Sequence, residues 1–221
     1  TGTSLSGAFA SGDEVVCTVT PTDGDDDGSP VSGSVTIGNT APTVTDVTLS
    51  PSEVYTNDTI TALVSALDAD GDNITLTYAW YVGGSLVAET GSTLSGVTWF
   101  DKDQPVYVEV TPNDGTDAGS TVASTTITVS NTPPSTPLIS IDPVEPEPGI
   151  DDLTCVIDTQ STDDDGDTIT YTFDWNVDGT PWAGSTSTSF ETGDTIDGGH
   201  TSSSEVWTCN LTPSDGTEDG L

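Results

Sequence analysis

Apolar residues at every second position follow an Asp- and Gly-rich loop twice in the chain. One copy spans 169–177, with Trp175 among its apolar positions, and the other spans 74–82, with Trp80 at the corresponding place. Side chains on a strand point alternately to opposite faces, so each copy predicts a half-buried β-strand. All five apolar positions correspond at one constant offset, which predicts a tandem repeat.

Further matches divide the chain into repeats. A Thr-Pro-x-Asp-Gly motif recurs at 20–24, 111–115 and 212–216, and Asn-Thr-x-Pro linkers occur at 39–42 and 131–134. These matches predict the C-terminal part of one repeat at 1–39, a whole repeat at 40–131, and a repeat lacking its last strand at 132–221. We therefore expect this chain to be a window from a longer protein.

Repeats of this length, with short alternating strands and turn signals, predict an all-β, rod-like stack of β-sandwiches. No segment shows helical periodicity. Strands are expected in repeat two at 43–50, 58–67, 73–82, 92–98, 105–112 and 119–129. In repeat three they are expected at 136–142, 151–158, 168–177, 184–190 and 204–212.

The cysteines suggest a more specific fold. Cys155 lies on the second predicted strand of repeat three, Cys209 on the penultimate one, and Trp175 on a strand between them. This Cys-Trp-Cys order resembles the immunoglobulin fold, and the resemblance implies a Cys155–Cys209 disulfide between two sheets. Repeat two has Ala62 and Val108 at the equivalent positions, so both cysteines are replaced together, as expected for a bonded pair.

A bridged sandwich indicates a compartment outside the cytosol. Cys17 corresponds to the second cysteine of its repeat, so its partner is expected before residue 1. The alternative is three buried free thiols. Metal ligation is less favoured, because the chain has one histidine, His200, and no CxxC motif.

The third-strand sequences, 78–84 and 173–179, are similar to polycystic-kidney-disease (PKD) type and related bacterial Ig-like repeats, which have Trp followed by a Gly-rich turn. The fuller Trp-Asp-Phe-Gly-Asp-Gly signature is missing. The resemblance implies Ig-like extracellular spacer or adhesion modules of bacterial surface or secreted proteins.

The charge of the chain excludes some partners. It has one Lys or Arg against 37 Asp and Glu, a formal net charge of -36. Such a surface repels nucleic acid and anionic membranes, and no apolar run is long enough to span a bilayer. Solubility in salty water is one explanation for the acidity. The clustering of Asp in Gly-containing loops instead favours local cation sites.

In an Ig-like sandwich, the loop before the third strand and the loop between the last two strands share one end. In repeat two this predicts a cluster of Asp68, Asp70, Asp72, Asp114 and Asp117. In repeat three it predicts a cluster of Asp163, Asp164, Asp165, Asp167, Asp215, Glu218 and Asp219. Crowded carboxylates repel one another unless a cation neutralises them, and Ca²⁺ takes six to eight oxygen ligands. Ordinary solvated turns, which Asp and Gly favour without any metal, are the first interpretation of each loop, and a calcium site is the alternative.

The residue types do not favour catalysis, since a chain with one His, one Lys and no Arg lacks most nucleophile and phosphate-handling machinery. The preferred interpretation is a rod, stalk or filament segment of a bacterial surface or secreted protein. Its expected partners are the neighbouring repeats of the same chain, and self-association into a filament is a further option. Strand addition from another subunit is a less favoured variant. The competing interpretation is an accessory binding module of a secreted enzyme, using Trp99 or Trp182 to contact carbohydrate.

Overall fold

The structure is a computed structural model that describes residues 4–7, 9–189 and 193–220. Its strands in chain order are β1 (Glu14–Val19), β2 (Val31–Thr36), β3 (Thr43–Ser50), β4 (Thr59–Leu67), β5 (Thr75–Val82), β6 (Ser85–Leu86), β7 (Thr93–Ser95), β8 (Pro105–Asn113), β9 (Val122–Ala123), β10 (Ile127–Thr128), β11 (Leu138–Asp142), β12 (Leu153–Thr159), β13 (Thr170–Val177), β14 (Thr180–Pro181), β15 (Ser187–Ser189), β16 (Gly193–Ile196) and β17 (Trp207–Ser214). The helices in the described part of the chain are one turn of α-helix, α1 (Gly96–Trp99), and one 3₁₀ turn (Gly198–His200). The all-β prediction is confirmed.

The chain packs as two compact units. The first takes the described residues of Thr1–Val54, Asp58–Phe100 and Gln104–Thr128. The second takes the described residues of Tyr55–Asn57, Asp101–Asp103 and Val129–Leu221. The repeat boundaries inferred from the sequence remain a prediction.

The described residues of the first unit form three antiparallel sheets. Their strand orders are β1-β2, β3-β4-β7 and β10-β8-β5-β6, with β9 also pairing with β8. Alternation along β8 buries Val106, Val108 and Val110 completely. The Trp80 indole is also fully buried, and its Nε1 donates to the Gly91 carbonyl at 2.9 Å.

The second unit is a two-sheet sandwich. One sheet has the order β11-β12-β16-β15 and the other the order β14-β13-β17. A disulfide joins Cys155 on β12 to Cys209 on β17, with an S–S distance of 2.08 Å. Trp175 pairs with Cys209 in the strand register and is 4% exposed. This inter-sheet bond beside a buried Trp is the Ig-like arrangement that the sequence predicted.

Several predicted strands need correction. The strand expected at 92–98 ends at Ser95, because 96–99 forms α1, and the strand expected at 119–129 is the two short strands β9 and β10. The strand expected at 184–190 is only Ser187–Ser189, and residue 190 lies outside the described residues. Strand β16 was not expected, since Gly193–Ile196 has a single apolar side chain and gives no readable alternation.

Cys17 is an exposed free thiol, so the alternative of three buried free thiols is wrong. It lies on β1 opposite Gly33 of β2. The expected partner before residue 1 remains a prediction.

Candidate metal centres in the acidic loops

The first acidic loop connects β4 to β5 and folds around Asp68. The Asp68 Oδ1 accepts hydrogen bonds from the backbone N–H of Asp70 at 2.8 Å and of Asp72 at 3.2 Å. Gly71 has φ +84, a left-handed conformation that favours glycine. This turn brings one carboxylate oxygen from each of Asp68, Asp70 and Asp72 within 4.8 Å of one another.

The second acidic loop connects β12 to β13 and repeats this geometry. The Asp163 Oδ1 accepts from the backbone N–H of Asp165 at 2.9 Å and of Asp167 at 3.1 Å, and Gly166 has φ +77. Oxygens of Asp163, Asp165 and Asp167 again lie within 4.8 Å of one another. We call these sets the Asp68 trio and the Asp163 trio.

Each trio contains a buried oxygen without a hydrogen-bond partner among the described residues. These atoms are the Oδ2 of Asp68 and the Oδ2 of Asp163, the first aspartate of each loop. A buried, unsatisfied polar atom costs roughly 1–3 kcal/mol, and more when it is charged. The same orphan occurs in both loops, so it belongs to their shared geometry.

The middle aspartate of each trio contacts the linker that precedes its repeat. The Thr40 N–H donates to Asp70 Oδ2 at 2.7 Å, and the Thr132 N–H donates to Asp165 Oδ2 at 2.6 Å. These hydrogen bonds satisfy the Thr40 and Thr132 N–H groups, which lie in linkers outside any sheet. Sequence reasoning did not find these linker contacts.

Four other carboxylates of the predicted clusters accept hydrogen bonds from a linker asparagine. In the first unit, Asn39 Nδ2 donates to Asp114 at 2.8 Å and to Asp117 at 2.9 Å. In the second unit, Asn131 Nδ2 donates to Asp215 at 2.8 Å and to Glu218 at 3.2 Å. Within the described residues, neither trio includes the predicted ligands Asp114, Asp117, Asp215 and Asp219, and neither includes Asp164 or Glu218 of the predicted cluster.

Hydrogen bonds stabilise the ionised form of the two carboxylates that hold the asparagines. The pKa of Asp114 is lowered by the backbone N–H of Asp117 and then by the Asn39 amide. Desolvation acts to raise the pKa of Asp215, but the Asn131 amide and backbone N–H groups lower it overall. Both carboxylates are therefore ionised acceptors for the linker amides.

Lys102 distinguishes the two trios. Its Nζ contacts Asp167 Oδ2 in an ion pair and donates to Asn131 Oδ1 at 2.8 Å. The hydrogen bond with Asp167 raises the pKa of Lys102. Lys102 is the only Lys or Arg in the chain, so the Asp68 trio has no lysine or arginine beside it.

The donor set of both trios fits a hard cation. Carboxylate and backbone oxygens suit Ca²⁺ and Mg²⁺, whereas soft or borderline metals are usually held by Cys or His. Ca²⁺ accepts more varied oxygen positions than Mg²⁺, which requires a nearly regular octahedron. The orphan oxygen of each trio is the ligand position that such an ion would satisfy.

The aromatic residues considered for carbohydrate contact have other surroundings. Trp182 packs against the core cluster of Leu153, Cys155, Trp175 and Ile196. Its ring centroid lies 5.1 Å from that of Trp207 and 5.3 Å from that of His200. Trp99 is half-buried at the end of α1. Packing, not an exposed binding platform, accounts for Trp182.

Asp194 is a buried carboxylate that sequence reasoning missed. It is 1% exposed and accepts from Trp175 Nε1 at 2.8 Å and from the Thr188 hydroxyl. It satisfies the core indole, as the Gly91 carbonyl does for Trp80. It is a packing element of the sandwich and lies outside both trios.

No family model matches the chain, and no curated protein matches it. Among solved structures, it is similar to the FN1–FN3 domains of chicken CNTN1, with 10% identity, a TM-score of 0.33, and coverage of 94% of this chain and 72% of that one. It is also similar to domains A168–A170 of titin, with 13% identity, a TM-score of 0.29, and coverage of 95% and 73%. The fold assignment depends on the sheets and the disulfide described above.

Proposed function

We propose that this chain is a non-catalytic, extracellular segment of a bacterial surface or secreted repeat protein, and that it serves as a spacer or stalk whose acidic loops bind Ca²⁺. The buried, unpartnered oxygen of Asp68, repeated at Asp163, is the observation that carries the calcium assignment. A divalent ion would satisfy that oxygen and neutralise the crowded carboxylates.

The mechanical part of the proposal follows from the linker contacts. The aspartates that would coordinate the ion also include Asp70 and Asp165, which accept the Thr40 and Thr132 N–H groups. An ion at a trio would therefore fix the loop that holds the linker of the same repeat. Calcium would make each linker stiffer, which suits a chain that presents something at a distance.

The disulfide and the charge are consistent with this location. A disulfide persists in oxidising, extracellular surroundings. The net charge of -36 disfavours binding to nucleic acid. None of the helices in the described part of the chain is long and apolar enough to cross a membrane.

The test is a titration of the full, chelator-treated chain with CaCl₂, followed by calorimetry and by the melting temperature. We expect saturable heat and a higher melting temperature, with a weaker response to Mg²⁺. Asp68→Asn should reduce the response, whereas Asp164→Asn should not, because Asp164 is exposed and outside the trio. No heat and no thermal shift would refute calcium binding.

We also propose self-association through the outer edge of β17. Among the described residues, β17 pairs along its length with β13 on one side, and its other side is bridged only near its C-terminal end, where Ser214 pairs with Asp219. The eight residues Trp207–Ser214 have no charged side chain to protect that edge. Sedimentation velocity should show association that increases with salt, since salt screens the repulsion between acidic copies. A monomer at all concentrations and salts would contradict this part.

Carbohydrate binding by an accessory module is the competing function. It needs exposed aromatic platforms, and Trp182 is occupied in the core cluster. We expect a glycan array to show no saturable binding. A specific glycan whose binding is lost in Trp99→Ala would reverse this preference.

A further inference from the structure

The two acidic loops share the same internal geometry but differ in one neighbour. Both have the nested backbone bonds, the linker contact and the orphan oxygen on the first aspartate. Only the Asp163 trio has an ammonium group from the chain itself, that of Lys102 on Asp167. Asp72, the corresponding residue of the other trio, is exposed.

We propose that Lys102 is a built-in counter-ion that makes the Asp163 trio a weak divalent site and leaves the Asp68 trio as the principal calcium site. This inference depends on the proposed function, since it assigns the cation preference of the same two loops. It explains how two loops with the same sequence pattern can have different requirements for metal.

The position of the ammonium is held by several contacts. Lys102 Nζ has two acceptors, Asp167 Oδ2 and Asn131 Oδ1, and its side chain is 21% exposed. The Asn131 amide is itself fixed, because its Nδ2 donates to Asp215 and Glu218. The positive charge is thus held beside the trio and does not move freely through solvent.

A fixed ammonium weakens the site in two ways. It repels an incoming divalent ion, and it already uses an oxygen of Asp167 that the ion would need as a ligand. For charges a few ångström apart near a protein surface, the repulsion alone corresponds to a loss of affinity of about tenfold or more. The Asp68 trio avoids this loss, since the chain has no second Lys or Arg.

The decisive experiment compares calcium titrations of the full wild-type chain with those of Lys102→Met and Lys102→Arg. The wild type should show one tight site and a second one at least about tenfold weaker. Lys102→Met keeps most of the length of the side chain, being one heavy atom shorter, and removes its charge, so the second site should strengthen by about tenfold or more. Lys102→Arg keeps the charge, so the sites should remain unequal.

Hydrogen exchange of the same samples assigns each site to its loop. At low calcium, peptides covering 68–73 should gain protection first, and those covering 163–168 should follow only at higher calcium. In Lys102→Met, both sets should gain protection together.

Each outcome bears on one of the two proposals. Two equal wild-type sites, or a second site that stays weak in Lys102→Met, would overturn the role of Lys102 while leaving calcium binding intact. No calcium binding in any of the three proteins would overturn the proposed function and this inference with it. Circular dichroism of the variants checks that they remain folded.

Discussion

Replacing the disulfide by the residue pair that repeat two has naturally is the most informative perturbation of the fold. The double variant Cys155→Ala and Cys209→Val installs the equivalents of Ala62 and Val108, which are 6% and 0% exposed. The replaced bond closes a separation of 54 residues, so its loss should cost about 4 kcal/mol in the chain-entropy model. For a domain of this size, that corresponds to a fall in melting temperature of roughly 20 °C.

The assay unfolds the full chain in urea and uses hydrogen exchange to read the stability of each unit from its own amides. The double variant and the disulfide-bonded reference protein should both carry Cys17→Ser, because the exposed Cys17 thiol would otherwise exchange with the disulfide. Amides of β12 and β17 should lose protection by the full amount, whereas those of β4 and β8 serve as the internal control.

The chain-entropy reasoning would be refuted by a loss below about 1 kcal/mol at β12 and β17, since the model assigns this loop about 4 kcal/mol. An equal loss at β4 and β8 would show that the two units do not respond separately. Reducing the disulfide of the wild-type chain should lower the free energy of unfolding at β12 and β17 by the same amount as the double substitution.

Two further substitutions test hydrogen bonds that the sequence did not reveal. Asp194→Ala removes the acceptor of a buried indole N–H, so urea unfolding should show a loss of about 2 kcal/mol or more, and Asp194→Asn should lose less because its amide oxygen still accepts; equal losses would contradict this role. Asn39→Ala removes a donor that lowers the pKa of Asp114, so carbon NMR should show that pKa moving up toward the ordinary value of 3.8. Because the pKa of Asp114 is lowered in the folded protein, the ionised carboxylate stabilises the fold above pH 3.8, and this stabilisation is lost as the pH falls through the folded pKa. In Asn39→Ala the folded pKa is higher, so the same loss should occur at a higher pH. An unchanged titration midpoint would refute the role of the amide.

The strands with strict alternation were predictable because their pattern is local. In 169–177 the apolar positions are buried or half-buried, while Thr170 and Thr172 are exposed. The Cys155–Cys209 pairing was implied by the resemblance of the Cys-Trp-Cys order to the immunoglobulin fold, and the joint replacement by Ala62 and Val108 supported it. Strand β16 could not be found in this way, since one of its buried positions is Asp194, which resembles a loop residue.

The candidate sites were only partly predictable from the sequence. The trios come from short nested turns, so spacing alone indicated them. The contacts of Asn39 with Asp114 and of Lys102 with Asp167 join residues 75 and 65 positions apart. Such contacts depend on how loops meet in three dimensions, and a sequence pattern does not specify that.

The linker motif has a physical explanation that follows from these contacts. In Asn-Thr-x-Pro, the Asn amide supplies two donors and the Thr backbone supplies a third, while the proline that follows has no N–H to satisfy. Three carboxylates accept these donors in the first unit. Asp70 accepts from the Thr40 N–H, and Asp114 and Asp117 accept from the Asn39 amide.

Close packing reinforces the same junction. A Cβ on Gly119 would lie 1.8 Å from the Pro42 carbonyl oxygen, and one on Gly220 would lie 2.3 Å from that of Pro134. Only glycine allows this approach, in each of the two units. The acidic loops therefore accept hydrogen bonds from the linker whether or not an ion is bound. A cation at a trio would act on a junction that backbone, amide and glycine contacts have already assembled, so its expected effect is to stiffen that junction, not to create it.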